Sequence, residues 1–279
     1  MNWITLNPVD MKRLKDARLQ IHQAAQLIAS TAISFIPKKE DDSHTNMEWI
    51  HDLSAFAGKE FGERKKFKLA LRPADMCYLF LNQNGQILDE LKLDNKTGQQ
   101  AVLWLKEKFN QNDLDFSPFT LSRHYEIPET EQADGKKYHL FNVSVFSELS
   151  AQFANAEILL QKLSSNFENS SPIRCWPHHF DHAMMISIDS KSDPAKSIGV
   201  GFSPGDDNYQ QPYYYVYPWP YPDVNTLAKY KLPEGTHWHT EGFISAIVTS
   251  ETYINATDTQ KYLEDFLGKA TKIAQIILS

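Results

Sequence analysis

Apolar positions fall at helical spacing in four stretches of the chain and cluster as strands between them. Leu14, Ala17, Ile21, Ala24, Ala25, Ile28, Ala32 and Phe35 share one helical face, the stripe that an amphipathic helix buries. Asn7-Pro8 and Asp10 supply start chemistry, and Pro37 stops the helix because proline lacks the N–H that another turn needs. Phe67–Leu71, Met76–Leu81 and Ile87–Leu93 read as three strands, with Asn84-Gly85 as a hairpin turn between the last two. A helix capped at Asn95 or Thr97 follows and buries Ala101, Val102, Leu105 and Phe109. Leu149, Phe153, Ala156, Leu160 and Leu163 mark a third helix, over about 145–165. The last helix, capped at Thr257 or Asp258, turns Tyr262, Phe266, Leu267, Ala270, Ile273, Ala274 and Ile277 inward.

Landmarks between these helices line up in order. Trp49-Ile-His-Asp52 corresponds to Trp176-Pro-His-His-Phe-Asp181, and Leu71-Arg-Pro-Ala-Asp75 to Phe202-Ser-Pro-Gly-Asp206. Each Pro-small-Asp element precedes an aromatic strand, Tyr78-Leu-Phe80 in one half and Tyr213-Tyr-Tyr-Val-Tyr217 in the other. The pattern reads as a decayed internal duplication; chance similarity between two α+β segments is the plainer alternative. The expected fold class is therefore α+β, with two pseudo-repeated helix–antiparallel-sheet–helix halves. Their expected bounds are 1–115 and 143–279, with 116–142 a linker or excursion rich in Asp, Glu, Pro, Ser and Gly.

Composition narrows the function classes. A net charge of −7 over 279 residues argues against a nucleic-acid footprint, which needs a basic face. No apolar run approaches the roughly 20 residues that span a bilayer, so no membrane contact is expected. Cys77 and Cys175 are the only cysteines, too few for a disulfide framework in a chain of this length. A reducing, cytoplasmic setting follows as the expectation.

The candidate chemistry concentrates in the second half. From Asp75 to Thr97 the first half uses 22 residues, whereas from Asp206 to Thr257 the second uses 51. The extra length holds Pro212-Tyr-Tyr-Tyr-Val-Tyr-Pro-Trp-Pro-Tyr-Pro222 and His237-Trp-His-Thr-Glu-Gly242. Strand alternation puts Tyr213, Tyr215 and Tyr217 on one side. With Trp219 and Trp238 they are candidates to line a pocket, against the plainer reading of an aromatic-capped core. If Pro177–Asp181 is extended, His179 and Asp181 share a face and can act as general acid and base. Glu241 is a further candidate base or ligand. His237 and His239 share a face and, with His179 and Asp181, make up a candidate shell for a divalent metal; hydrogen-bonded structural side chains are the alternative. Asp206, a further catalytic candidate, can accept from backbone amides in its turn. Gly201-Phe-Ser203-Pro-Gly205 matches a nucleophile elbow in letters only, because Pro204 has no N–H for an oxyanion hole. Ser203 is therefore placed among the ligand-binding candidates rather than the nucleophiles.

Trp176-Pro-x-His-Phe-Asp181, Gly-x-Ser-Pro-Gly-Asp206 and Pro212-Tyr-x-Tyr-Val with Pro218-Trp resemble a family of uncharacterised bacterial proteins, a domain of unknown function. The likeness covers about residues 170–250. It implies a bacterial cytosolic protein, points to His179, Asp181, Ser203 and Asp206, and assigns no reaction. The reading that results is a small-molecule-binding protein or enzyme with an aromatic-lined His/Asp pocket in the C-terminal half. The alternative is a non-catalytic interaction protein, or homo-oligomer, that uses the Tyr/Trp/Pro run as its surface.

Overall fold

The computed structural model describes residues 2–279. Helix α1 (Met11–Phe35) opens the first half; the Asp10 carboxylate caps it by accepting from the Lys12 and Arg13 amides. Strands β1 (Glu48–Ile50), β2 (Ala55–Ala57), β3 (Phe67–Arg72), β4 (Cys77–Asn82) and β5 (Ile87–Lys92) then form an antiparallel meander in that spatial order. Helix α2 (Gly98–Gln111) closes the half, with a capping box between Thr97 and Gln100. The second half repeats the plan with α3 (Val143–Ser164), β6 (Arg174–Trp176), β7 (Asp181–Asp189), β8 (Lys196–Ser203), β9 (Tyr213–Trp219), β10 (His237–His239), β11 (Ser245–Thr249), α4 (Ser250–Tyr253) and α5 (Thr259–Leu278). Its sheet runs β10-β11-β9-β8-β7-β6, so β10 is one extra strand added outside the repeated five. The fold is α+β with two pseudo-repeated halves, as the landmarks predicted.

Cross-strand register recovers the repeat at the second landmark and shifts the first, where Asp181 takes the place of Ala55 and not of Asp52. Leu71 faces Phe56 on one side and Tyr78 on the other, and Phe202 likewise faces His182 and Tyr214. The landmark alignment had already paired Leu71 with Phe202. Stepping out from these anchors, Ala55, Ala57, Ala70, Cys77, Leu79 and Leu81 correspond to Asp181, Ala183, Gly201, Tyr213, Tyr215 and Tyr217.

Contacts divide the chain into two compact units that interleave in sequence: Val9–Ala151 with Cys175–Phe180, and Met1–Pro8 with Gln152–Arg174 and Asp181–Ser279. In the first unit, the inward face of the sheet meets α1, where the Tyr78 hydroxyl donates to the Ala24 carbonyl at 2.5 Å. Phe35, Phe61 and Phe109 extend this core as a ring cluster. Residues 112–142 hold no helix or strand among the described residues, yet they are tied to α1. Tyr125 donates to Gln26 (2.9 Å), the Thr120 amide to Ser34 (2.9 Å) and the His139 amide to Gln20 (2.8 Å). The excursion is a belt along the polar ridge of α1.

In the second unit, Phe153 of α3 meets Phe202 edge-on at 5.1 Å, Tyr214 meets Tyr253 at 5.5 Å, and α5 packs on β8 and β9. His182, fully buried, donates through Nε2 to Glu157 of α3 at 2.5 Å. Residues 2–8 join this unit through Ile4, whose N–H and C=O both pair with the Asn155 amide. Among the described residues no helix is long and apolar enough to cross a membrane.

Candidate functional site

With Phe202, Tyr214 and His182 turned toward the helices, alternation sends Asp181, Gly199, Gly201, Tyr213, Tyr215, Tyr217, Trp219, His237 and His239 to the outer face of the second sheet. This face is a tiled layer of rings. Tyr213, Tyr215 and Tyr217 follow one another with centroids 6.1 Å apart at each step. Tyr221 continues the row 6.2 Å beyond Tyr217, and Trp219 meets Tyr221 at 5.2 Å. At the other end Tyr209 lies 4.9 Å from Tyr213.

The rings lie across β8 because two glycines leave room for them. A Cβ on Gly199 would sit 2.1 Å from the Tyr217 ring, and one on Gly201 2.4 Å from the Tyr215 hydroxyl. At such distances the ring or the strand must shift, so the phenols take the place of side chains that β8 lacks. Crossing Gly201, the Tyr215 hydroxyl reaches β7 and donates to Asp181 Oδ2. The other carboxylate oxygen, Asp181 Oδ1, is buried and has no hydrogen-bond partner among the described residues. Burial first, and then the Asp181 carboxylate, hold the Tyr215 phenol well above its usual pKa. The Tyr217 phenol is raised by burial, Asp181 and Tyr221 in that order.

Asp206 is engaged in full. One oxygen accepts from the Asn208 and Tyr209 amides (2.8 Å each), and the other accepts from the Tyr213 hydroxyl at 2.6 Å. Its counterpart Asp75 is satisfied instead by a two-pronged bond from Arg72, 2.8 Å at each prong. Ser203 is buried and its hydroxyl accepts from the Gly205 amide at 3.2 Å, closing the turn.

Three expectations are corrected. Residues 177–180 form a turn and not an extended segment, with Phe180 at φ 58° and its amide bonded to the Trp176 carbonyl at 2.6 Å. A left-handed residue at that point breaks strand alternation, so no shared face links His179 to Asp181. His179 is exposed in the first unit, whereas Asp181 begins β7 in the second. Trp238 sits on the opposite face of β10 from His237 and His239 and donates to the Tyr230 carbonyl at 3.2 Å, away from the tyrosine row. Among the described residues no group of three or more His, Cys, Asp or Glu side chains is placed to hold a metal ion. The set His179, Asp181, His237 and His239 is not such a group. Glu241 is exposed and takes part through its carbonyl, which accepts from His239 Nε2 at 2.7 Å.

Sequence reasoning missed Tyr209, Gly199 and the packing role of Gly201, and quoted Tyr221 only as part of the run that ends at Pro222. For the glycines a signal existed: Gly199-x-Gly201 alternates in step with Tyr215-x-Tyr217 on the next strand. The loop residues Tyr209 and Tyr221 carried no periodic signal.

No family model, curated protein or solved structure matches the chain.

Proposed function

We propose that the second unit is a small-molecule-binding module whose ligand, an organic amine or cation, lies on the outer face of its sheet. The observation that carries this reading is Asp181: a carboxylate beneath phenol rings, with one oxygen held by Tyr215 and the other buried without a donor. A buried acceptor left unpaired costs about 1–3 kcal/mol, and a ligand N–H removes that penalty. Phenol faces attract cations, and the charged groups felt by Tyr213, Tyr215 and Tyr217 are the acids Asp181 and Asp206. Tyr217, half-buried and with no hydrogen-bond partner for its hydroxyl among the described residues, is the ring that moves to admit the ligand.

The repeat supports the reading. At the corresponding positions the first sheet carries Ala55, Ala70, Cys77, Leu79 and Leu81 as a small apolar cluster, so the fold itself does not require phenols or a carboxylate there. The exposed Trp219, Tyr221 and Val224, each 40–45% accessible, favour a second reading in which this end of the row docks a protein partner. The buried thiols Cys77 and Cys175 fit a cytoplasmic setting, and we also infer membership of the bacterial family that the motifs resemble.

Calorimetric titration with benzylamine, and with benzyl alcohol as its neutral counterpart, tests the proposal. Saturable binding of the amine alone is expected, weakened about tenfold or more in Asp181→Asn by loss of one charge-assisted hydrogen bond. Equal binding of both compounds, or an unaffected variant, contradicts it.

A further inference from the structure

Beside the tyrosine row, two histidines on β10 are bridged by one phenol. The Tyr209 hydroxyl lies 2.8 Å from His237 Nε2 and 2.9 Å from His239 Nδ1. His239 Nε2 lies 2.7 Å from the Glu241 carbonyl oxygen. A carbonyl only accepts, and this fixes every direction upstream. His239 Nε2 carries a hydrogen and donates it to Glu241. In neutral His239, Nδ1 is then a lone pair, so the Tyr209 O–H donates to it. With its single hydrogen committed, the Tyr209 oxygen accepts from His237, which must carry its hydrogen on Nε2. What remains is His237 Nδ1, a lone pair on a residue exposed at the sheet edge.

We propose that His237, Tyr209 and His239 form a proton relay, in which a proton taken up at His237 Nδ1 appears as charge on His239. The step balances without any other reactant. A donor gives a proton to His237 Nδ1, the Nε2 hydrogen of His237 moves to the Tyr209 oxygen, and the Tyr209 hydrogen moves to His239 Nδ1. His237 ends neutral with its hydrogen on Nδ1, Tyr209 ends neutral, and His239 ends as imidazolium. The charge is better placed there. His239 stacks on Phe243 at 4.0 Å and 28°, where a ring face stabilises a cation, and its Nε2–H is already held by a carbonyl. His237 only tilts toward the Tyr209 ring at 5.9 Å, its Nε2–H meets a hydroxyl and not a carbonyl, and partial burial followed by repulsion from His239 lowers its pKa. The other titratable groups that face the trio are Asp206, which holds the Tyr209 amide, and Tyr213, whose ring lies 4.9 Å from that of Tyr209. The β11 residues opposite β10, namely Ser245, Ala246 and Ile247, carry no charge. The device is an acid–base port at the rim of the row, and it stands whether or not a ligand occupies the tyrosine face.

Nitrogen NMR of the histidine rings tests it directly, with acidification from about pH 8 to about pH 5, where imidazoles ordinarily charge. At the alkaline end both rings should be Nε2–H tautomers. On acidification His239 should charge first, and His237 should switch to the Nδ1–H tautomer over the same pH range while still neutral. In Tyr209→Phe that switch should be lost. If His237 keeps its Nε2–H tautomer while His239 charges, or if neutral His239 carries its hydrogen on Nδ1, the relay is refuted by the wild-type spectra alone, whatever the variant does.

Discussion

Leu79 and Tyr215 occupy the same place in two copies of one sheet, and their surroundings show what the second copy has been altered to do. Around Leu79 the outer face is built from Ala55, Ala57, Ala70, Cys77 and Leu81, all at most 1% exposed. Ion pairs border it: Lys68 with Glu48 at 2.7 Å, and Arg72 with Asp75 at 2.8 Å and with Glu90 at 3.6 Å. Around Tyr215 the alanine opposite has become Gly201, Ala55 has become Asp181, and the flanking apolar residues have become Tyr213 and Tyr217. The first solution closes the face. The second trades two strand side chains for a row of phenols lying over a carboxylate, and glycine in a strand interior costs roughly 0.5–1 kcal/mol relative to alanine. The same backbone thus supports a sealed face in one half and a chemically equipped one in the other.

That contrast breaks in graded ways. Leu79→Ala should be the most damaging change, at about 2–5 kcal/mol, because it empties a closed apolar cluster; urea unfolding measures it. Extremes of pH should separate the units. Burial lowers the His22 pKa from 6.5 to about 4 against the raising effect of its bond to Pro177. Its neutral form is the folded one, so its contribution is complete above 6.5 and is lost as pH falls toward about 4, on the order of 3 kcal/mol at most. Tyr215 has the opposite sign. Its raised pKa means its contribution is complete below the usual phenol value and is lost as pH rises past it. Thermal unfolding across the pH range, with His22→Gln flattening the acid limb and Tyr215→Phe the alkaline one, checks both.

Exchanging one residue between the copies is gentler. Gly201→Ala drives a methyl to 2.4 Å from the Tyr215 hydroxyl and 2.8 Å from Ala183 Cβ, and should cost roughly 1–3 kcal/mol by overpacking. The mirror change Ala70→Gly should cost about 1 kcal/mol or less. Arg72→Ala should have the smallest effect, below about 1 kcal/mol, since half-exposed ion pairs contribute little. Equal costs for Gly201→Ala and Ala70→Gly would show that the tyrosine row does not lean on its glycines.

Much of this architecture was readable in the chain. Long helices announced themselves through spacing and through Asp10, Thr97 and Asp258 at their caps, and the Asn84-Gly85 hairpin through its turn chemistry. The repeat survived because Pro73 and Pro204 punctuate equivalent turns. Strands of three residues such as β1 and β2 are too short for alternation to register. Residues 116–142 read as a linker or excursion because their tether to α1 runs through Gln20, Gln26 and Ser34, which carry no periodic signal of their own. At the site, alternation correctly put Tyr213, Tyr215 and Tyr217 together and His237 beside His239. It failed at His179 because the left-handed turn at Phe180 is a backbone property that Trp-Pro-His-His-Phe does not advertise.

The most direct test maps where an amine binds. Backbone amide shifts recorded during titration with benzylamine should move at Gly199, Gly201 and Tyr217, saturate, and stay still at Ala70 and Leu79 in the corresponding strands of the other sheet. Shifts of equal size in both sheets, or none at the two glycines, would contradict the account.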